Sequence, residues 1–293
     1  YISLKDSSVV TTGNNSAGTA VSARAMMKVE NSTVSTTGDS SPAIMIADGG
    51  GILIADGGSF TTSGAMSQGI YSKGDVTVTN ASVNALNAKA AVLKGNNTIT
   101  LSGTILEGKE TADTIPYNIV LFSDEKDIGT MGTQHFDVRG GSLISHKGGM
   151  FYVTATHGKI SLNGTAITMD DPAANLITVA GNDGANGWGT PGRNGGHVEL
   201  VADNQVLTGN ISVDSISNIN MTLKNNSTFN GMISIVPNTE GGEKYKTNAD
   251  VFIAAGSTWN LTGNSTLTSL YNLGTINYNG YTITLADGTV MKA

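Results

Sequence analysis

The sequence predicts an all-β chain folded as a parallel β-helix. Three observations support this prediction: a composition suited to strands and turns, an apolar repeat of about 24 residues, and three short apolar pulses within most repeats. The chain has 38 glycines among 293 residues and only 13% charged residues, whereas glycine makes up about 7% of an ordinary protein. Because β-branched residues favour strands while Gly and Asn supply turns, this composition disfavours a helical fold.

The first strand of each repeat is marked by two apolar residues that flank a mostly polar one, as in "MKVENSTV" and "VTVTNASV". We take the second apolar residue as an anchor. The residue two positions before each anchor is apolar in every repeat, so both are expected to face the core of a strand. The anchors are Leu4, Val29, Ile54, Val78, Leu101, Val138, Leu162, Leu200, Leu223, Ile253 and Tyr278.

Two further strands complete the repeat. A second apolar pulse follows the turn residues, as at Val34 and Val83, and a third follows later, as in "AIMI" (43–46) and "AAVL" (90–93). Three strands in about 24 residues predict coils that stack into about eleven rungs and a rod roughly 50 Å long. A β-propeller fits less well, because its blades have four strands in about 40 residues or more.

The predicted organisation is a run of rungs over residues 1–252 followed by a C-terminal folding segment over 253–293. Two long intervals, about 102–137 and 163–199, carry insertions. The second contains "GWGTPG" (187–192), which has the G-x-G-x-x-G spacing of a dinucleotide-binding turn. Because no helix is expected after it, we predict a surface loop instead. Trp188 and Arg193 are its candidate recognition residues, although Trp188 could equally fold back as a packing anchor.

Composition excludes several function classes. The net charge is −7 and the 16 Lys and Arg residues are dispersed, so no basic stripe for nucleic acid is predicted. No apolar run is long enough for a membrane helix, and no signal peptide opens the chain. Because "YISL" already lies within a repeat, we expect a further N-terminal part. No cysteine is present, and no cofactor or metal site is predicted, since the "IADGG" turns (46–50 and 54–58) lack the repeated calcium-binding pattern.

One patch has the residue types of a glycan-processing enzyme. Under the anchor alignment, Asp137 and Glu199 lie two rungs apart, about 9–10 Å, which is near the upper limit for an inverting carboxylate pair. The competing interpretation is a solvated polar face, which outward ladders require in any case. We therefore predict no enzyme, and keep catalysis as the alternative. Its residues would be Asp137, Glu199, Lys159 and Arg139, beside a column of His135, Lys159 and His197.

A serine protease is disfavoured. "GDSSP" (38–42) departs from the nucleophile turn of such enzymes, and a Gly-Asp-Ser turn is expected there in any case. The histidines lie at 135, 146, 157 and 197, remote from this turn in a protein that stacks its rungs in order.

The C-terminal stretch "AAGSTWNLTGNSTLTSLYNLGTINYNGYTITL" resembles the folding segment of bacterial autotransporter passengers, the pertactin-like and AIDA-type surface proteins. The resemblance implies a right-handed, single-stranded, pectin-lyase-like parallel β-helix that is displayed on the cell surface, outer-membrane-anchored in the full-length form, or released. It also implies an adhesin or self-associating passenger that binds a surface glycan or protein of a host or neighbouring cell. A polysaccharide lyase or hydrolase and a structural stalk remain the alternatives. The matching residues are Trp259, Leu261, Thr262, Ser265, Leu267, Leu270, Leu273, Gly274 and Ile276.

Overall fold

The computed structural model describes residues 1–124, 132–242 and 244–293, and these residues form strands and turns without any helix. The all-β prediction is therefore confirmed. In the first half of the chain the strands are β1 Ile2–Lys5, β2 Ser8–Thr11, β3 Thr19–Val21, β4 Met26–Thr36, β5 Ile44–Ile46, β6 Ile52–Thr62, β7 Ile70–Ser72, β8 Asp75–Thr79, β9 Ser82–Ala85, β10 Ala91–Lys94, β11 Thr98–Ser102, β12 Ile105–Gly108, β13 Tyr117–Phe122, β14 Thr133–Arg139, β15 Ser142–Ser145 and β16 Gly149–Thr154. In the second half they are β17 Thr156–Asn163, β18 Ala166–Met169, β19 Ile177–Val179, β20 Gly196–Asp203, β21 Val206–Thr208, β22 Ile211–Asp214, β23 Asn218–Lys224, β24 Thr228–Gly231, β25 Ile233–Val236, β26 Ala249–Ile253, β27 Thr258–Leu261, β28 Ser265–Leu267, β29 Ser269–Asn272, β30 Thr275–Asn277, β31 Ile283–Leu285 and β32 Val290–Met291.

The chain divides into two compact units. Unit 1 comprises Tyr1–Leu121, Gln134–Phe151 and Ala166–Asp171, and unit 2 comprises Phe122–Thr133, Tyr152–Thr165 and Pro172–Ala293. Residues 125–131, within the predicted 102–137 insertion, lie outside the described part of the chain. The predicted boundary between residues 252 and 253 stays a prediction.

Unit 1 is built from three columns of parallel strands. The first column runs β1–β4–β6–β8–β11–β14, and the second runs β2–β4–β6–β9–β12–β15–β18, with the long strands β4 and β6 serving both. The third column contains β3, β5, β7 and β10. Each strand thus pairs with its equivalent in the next coil.

Unit 2 repeats this arrangement. Its first column is β17–β20–β23–β26–β29, its second is β21–β24–β27–β30, and its third includes β19, β22 and β25. Strands β28 and β31 also pair in parallel, and β32 adds to β31 in the antiparallel sense. Both units therefore have the parallel β-helix fold that the repeat predicted, while the number of rungs stays a prediction.

The turn between the first and second strands explains the frequent Asn and Gly of the repeat. It places one residue in the left-handed region, with φ of 46° at Asn31, 51° at Asn80 and 49° at Asn204. Asn tolerates this conformation better than most residues, and Gly adopts it without a steric penalty. At Gly141, with φ of 64°, an added Cβ would also lie 2.1 Å from the backbone oxygen of Thr104. Glycine at this turn therefore permits the close backbone approach of adjacent coils.

The core is formed by the inward residues of all three columns, and alternation along each strand supplies them. Val76, Val78 and Leu101 are buried in this way. Hydroxyl groups occupy the core at the corners, where the amide of Ser41 donates to Ser67 Oγ at 2.9 Å. The same geometry recurs one coil earlier, because the amide of Ser16 donates to Ser41 Oγ at 2.9 Å. Stacked serines thus satisfy backbone donors that the strand ladders leave free.

The predicted register is wrong at the third repeat. Met27 pairs with Leu53 and Val29 with Ala55, so the inward residues are Leu53 and Ala55 rather than Ile52 and Ile54. Leu53 is fully buried, whereas Ile52 is 36% exposed. In the run "ILIA" the first and third residues are apolar, and so are the second and fourth. Only the pairing with β4 determines which of these two sets faces inward.

The alignment is also wrong at two later anchors. Ile160 pairs with Leu200 and Leu162 with Ala202, so the anchor position belongs to Ala202, two residues beyond the predicted Leu200. At the C-terminal end Ile253 pairs with Asn272, and the predicted anchor Tyr278 lies outside this column. A shift of two residues preserves alternation, so the apolar pattern alone does not distinguish the register at Leu200 from the register at Ala202.

Candidate functional site

The outward face of unit 2 collects polar and aromatic side chains in columns. One column is His157, His197 and Asn218, and the next is Lys159, Glu199, Asn220 and Asp250. A third column includes Phe252 and Tyr271, whose rings stack with their centroids 5.5 Å apart. Adjacent parallel strands lie about 4.8 Å apart, so each column presents a regular row of functional groups.

The corrected register changes the predicted polar columns. Lys159 lies opposite Glu199 rather than opposite His197, and its Nζ is 3.0 Å from Glu199 Oε1. His157 lies opposite His197, and the two rings stack with centroids 4.8 Å apart. The observed neighbours therefore form an ion pair and a ring stack. The sequence alignment had instead placed Lys159 beside His197.

The candidate catalytic residues fall in different units. Asp137 and Arg139 lie on β14 of unit 1, opposite Thr100 and Ser102 of β11. Lys159 and Glu199 lie on β17 and β20 of unit 2. Within unit 2 the carboxylate of Glu199 is paired with the ammonium group of Lys159. The pairing of Asp137 with Glu199 as a catalytic couple stays a prediction.

Trp188 is held by the loop that contains it. Its ring packs on Phe122 with a centroid distance of 4.4 Å, and the residue is half-buried. Its carbonyl accepts hydrogen bonds from Asn182 Nδ2 at 2.9 Å and Asn194 Nδ2 at 3.0 Å. Asn182 Nδ2 also donates to Thr154 Oγ1 at 2.8 Å. In this arrangement Trp188 acts as a packing anchor, which is one of the two roles considered for it.

Arg193 stands at the end of the same loop and is exposed. Among the described residues its guanidinium makes no hydrogen bond or ion pair, so its donors remain accessible to a ligand. Only its backbone is held, because the amide donates to the carbonyl of Thr190 at 2.9 Å. The loop therefore fixes the position of Arg193 while leaving its charged group available.

Arg193 lines a cavity of about 460 Å³, which we call the inter-loop pocket. Most of its lining comes from two loops, the one between β19 and β20 and the one between β25 and β26, while His197 of β20 and Ile216 of the β22–β23 turn complete it. The loops meet closely, since a Cβ added at Gly242 would lie 2.1 Å from the backbone oxygen of Gly192. The pocket is lined by Pro191, Gly192, Arg193, His197, Ile216, Glu240, Gly242 and Tyr245.

One wall of the pocket is a stack of rings. Tyr245 packs edge-on against His197 with centroids 4.7 Å apart, and Tyr245 remains 43% exposed. Burial lowers the pKa of His197, and the neighbouring His157 lowers it further. His197 is therefore neutral at pH 7. Its Nδ1 lies 3.1 Å from Asn218 Oδ1, and because an amide oxygen only accepts, Nδ1 carries the proton.

Sequence reasoning missed Glu240 and Tyr245 as site residues. They belong to the segment "NTEGGEKYKTN", whose only signal is its length: the interval from Leu223 to Ile253 exceeds the usual repeat by about six residues. Such a length increase indicates an insertion but not which side chains it places near Arg193. The meeting of two separate loops is a tertiary feature.

Neither a metal centre nor a membrane-spanning helix is present in the described ranges. No group of three or more His, Asp or Glu side chains there has an arrangement that could hold a metal ion. Within the same ranges, no helix has the length and apolar character required to cross a membrane. Comparison with protein families, with curated proteins and with solved structures finds no match for this chain.

Proposed function

We propose that this chain is a non-catalytic binding protein, a bacterial surface adhesin that recognises a glycan or protein on a host or neighbouring cell. The observation that carries the proposal is the inter-loop pocket beside the outward face of unit 2. There Arg193, Glu240 and Tyr245 are exposed at one opening. Available hydrogen-bonding groups around a preformed concavity are typical of ligand-binding sites.

Binding is favoured over turnover by the chemistry of this pocket. Glycoside hydrolysis generally requires two carboxyl groups about 5–10 Å apart, on opposite sides of the scissile bond. The described lining of the pocket contains a single carboxylate, Glu240, and a neutral imidazole, His197. On the adjoining face Glu199 is engaged by Lys159. These groups can orient a ligand by hydrogen bonds, and they lack a matched acid and base.

The surface location and the adhesive role draw additional support from the C-terminal resemblance to autotransporter passengers. Self-association is part of the same proposal, since the parallel columns present repeated amide and hydroxyl groups. On the second column of unit 2, Asn260 Nδ2 donates to Asn230 Oδ1 and Asn277 Nδ2 donates to Asn260 Oδ1, each at 2.7 Å. Repeated weak contacts along such columns would act together at high effective concentration.

The proposal is tested by measuring binding of the purified chain to a glycan array and to bacterial and epithelial cells, with sedimentation velocity for self-association. Arg193→Ala should reduce binding, while Arg24→Ala, which removes an exposed arginine of unit 1, serves as the matched control. Release of sugar products from a polysaccharide, lost in Glu199→Gln, would overturn the proposal in favour of the enzyme. Absence of binding to every array and cell surface would also overturn it.

A further inference from the structure

We infer that the inter-loop pocket binds one neutral pyranose unit of a glycan, with Tyr245 and the neighbouring apolar surface against the sugar and with Arg193 and Glu240 hydrogen-bonded to its hydroxyls. This inference rests on the proposed function and specifies its ligand. It begins from the composition of the lining, which combines apolar surface from Pro191 and Ile216 with these polar groups.

The size and shape of the pocket favour a small ligand unit over a protein surface. Stable protein interfaces bury about 800 Å² on each partner and are comparatively flat. Small-molecule sites are concave, with volumes of about 300–1,000 Å³ and a few polar groups that fix orientation. At about 460 Å³ the inter-loop pocket belongs to the second class.

The charges of the pocket favour a neutral polyhydroxyl ligand. Among the described lining residues, Arg193 contributes one positive charge and Glu240 one negative charge, and His197 is neutral at pH 7 because burial lowers its pKa. A sugar carboxylate would be attracted by the guanidinium of Arg193 but repelled by the carboxylate of Glu240. Hydroxyl groups donate to a carboxylate and accept from a guanidinium, so a neutral sugar uses both side chains.

The aromatic part of the lining is held in place by contacts within the chain, which lowers the entropic cost of binding. His197 is fixed by its stacking on His157 and by the hydrogen bond to Asn218. Tyr245 is positioned by its ring contact with His197 and by its backbone amide, which donates to the carbonyl of Ser215 at 2.7 Å. The aromatic wall therefore offers a fixed apolar surface to the C–H face of a sugar ring.

The experiment measures binding of methyl glycosides of glucose, galactose and mannose, with glucuronic acid as the anionic probe, by ligand-observed NMR titration on the full chain. At least one neutral methyl glycoside should bind more tightly than glucuronic acid. Tyr245→Ala should weaken that binding by about fivefold or more, as expected for an aromatic hot spot. Tyr271→Ala removes an exposed tyrosine of the same unit outside the pocket and should change it less than about twofold.

Several outcomes would overturn the inference. Preferential binding of glucuronic acid would contradict the charge argument, and equal losses in Tyr245→Ala and Tyr271→Ala would contradict the location. A lack of binding by every neutral glycoside tested would also overturn the inference. If the wild-type chain and Tyr245→Ala bind cells or the glycan array equally well, the pocket assignment fails while the proposed adhesive function stands.

Discussion

Replacement of Trp259 by Phe tests how the C-terminal segment stabilises unit 2. Trp259 is fully buried and heads the set of large buried side chains in the described chain. Its Nε1 donates to the carbonyl of Gly231 at 2.9 Å, and its ring lies 5.6 Å from that of Phe229. Phenylalanine preserves most of the apolar contact and removes the indole N–H. The carbonyl of Gly231 then loses this partner inside the core.

The expected loss of unfolding free energy follows from two contributions. A buried carbonyl left without its donor costs about 1–3 kcal/mol. The smaller ring also leaves a cavity and loses dispersion contacts, which adds roughly 1 kcal/mol. We therefore expect Trp259→Phe to lower the free energy of unfolding by about 2–4 kcal/mol. Urea unfolding followed by far-UV circular dichroism measures this loss without relying on tryptophan fluorescence.

Trp188→Phe provides the matched control, because the chemical change is identical. Trp188 is half-buried, and its indole N–H makes no hydrogen bond with the described residues. We expect a loss below about 1 kcal/mol, mainly from the contact with Phe122. Equal losses for the two variants, or a loss below about 0.5 kcal/mol for Trp259→Phe, would refute the importance of the bond to Gly231.

Two further predictions concern unit 1. Leu53→Ala should cost about 2–5 kcal/mol in urea unfolding because Leu53 is fully buried, whereas Ile52→Ala should cost less than about 1 kcal/mol, and the reverse order would contradict the observed register. His146 Nδ1 lies 2.8 Å from Asp170 Oδ2, and this hydrogen bond raises the pKa of His146, with a smaller contribution from Glu107. The charged ring therefore stabilises unit 1 fully below about pH 6.5, and this stabilisation is lost as the pH rises through the folded-state pKa. The urea midpoint of the wild-type chain should exceed that of His146→Asn at pH 6 and approach it by pH 9, and a difference that is constant over this range would disprove the linkage.

The fold class could be predicted from sequence because the physical requirement repeats. Every coil must bury a few apolar residues and pass through a tight corner, so alternation recurs with the period of one coil, and an Asn or Gly occupies most of the corners between the first and second strands. Ile99 and Ile160 are buried at positions that this periodicity selected. Asn80, with φ of 51°, occupies one such corner. These constraints are local, so each can be recognised in a short run of consecutive residues.

Only the tertiary structure decided which residues of successive coils lie beside one another. Leu53 rather than Ile52 faces inward, and Lys159 meets Glu199 rather than His197. A shift of two residues leaves the alternation unchanged, and in the run "ILIA" both alternating sets of residues are apolar. In both cases backbone pairing with the adjacent coil selects the register. The inter-loop pocket depends on the same pairing. Arg193 and Tyr245 are brought to one opening because the coils that carry their loops stack, a relation absent from the local sequence of either loop.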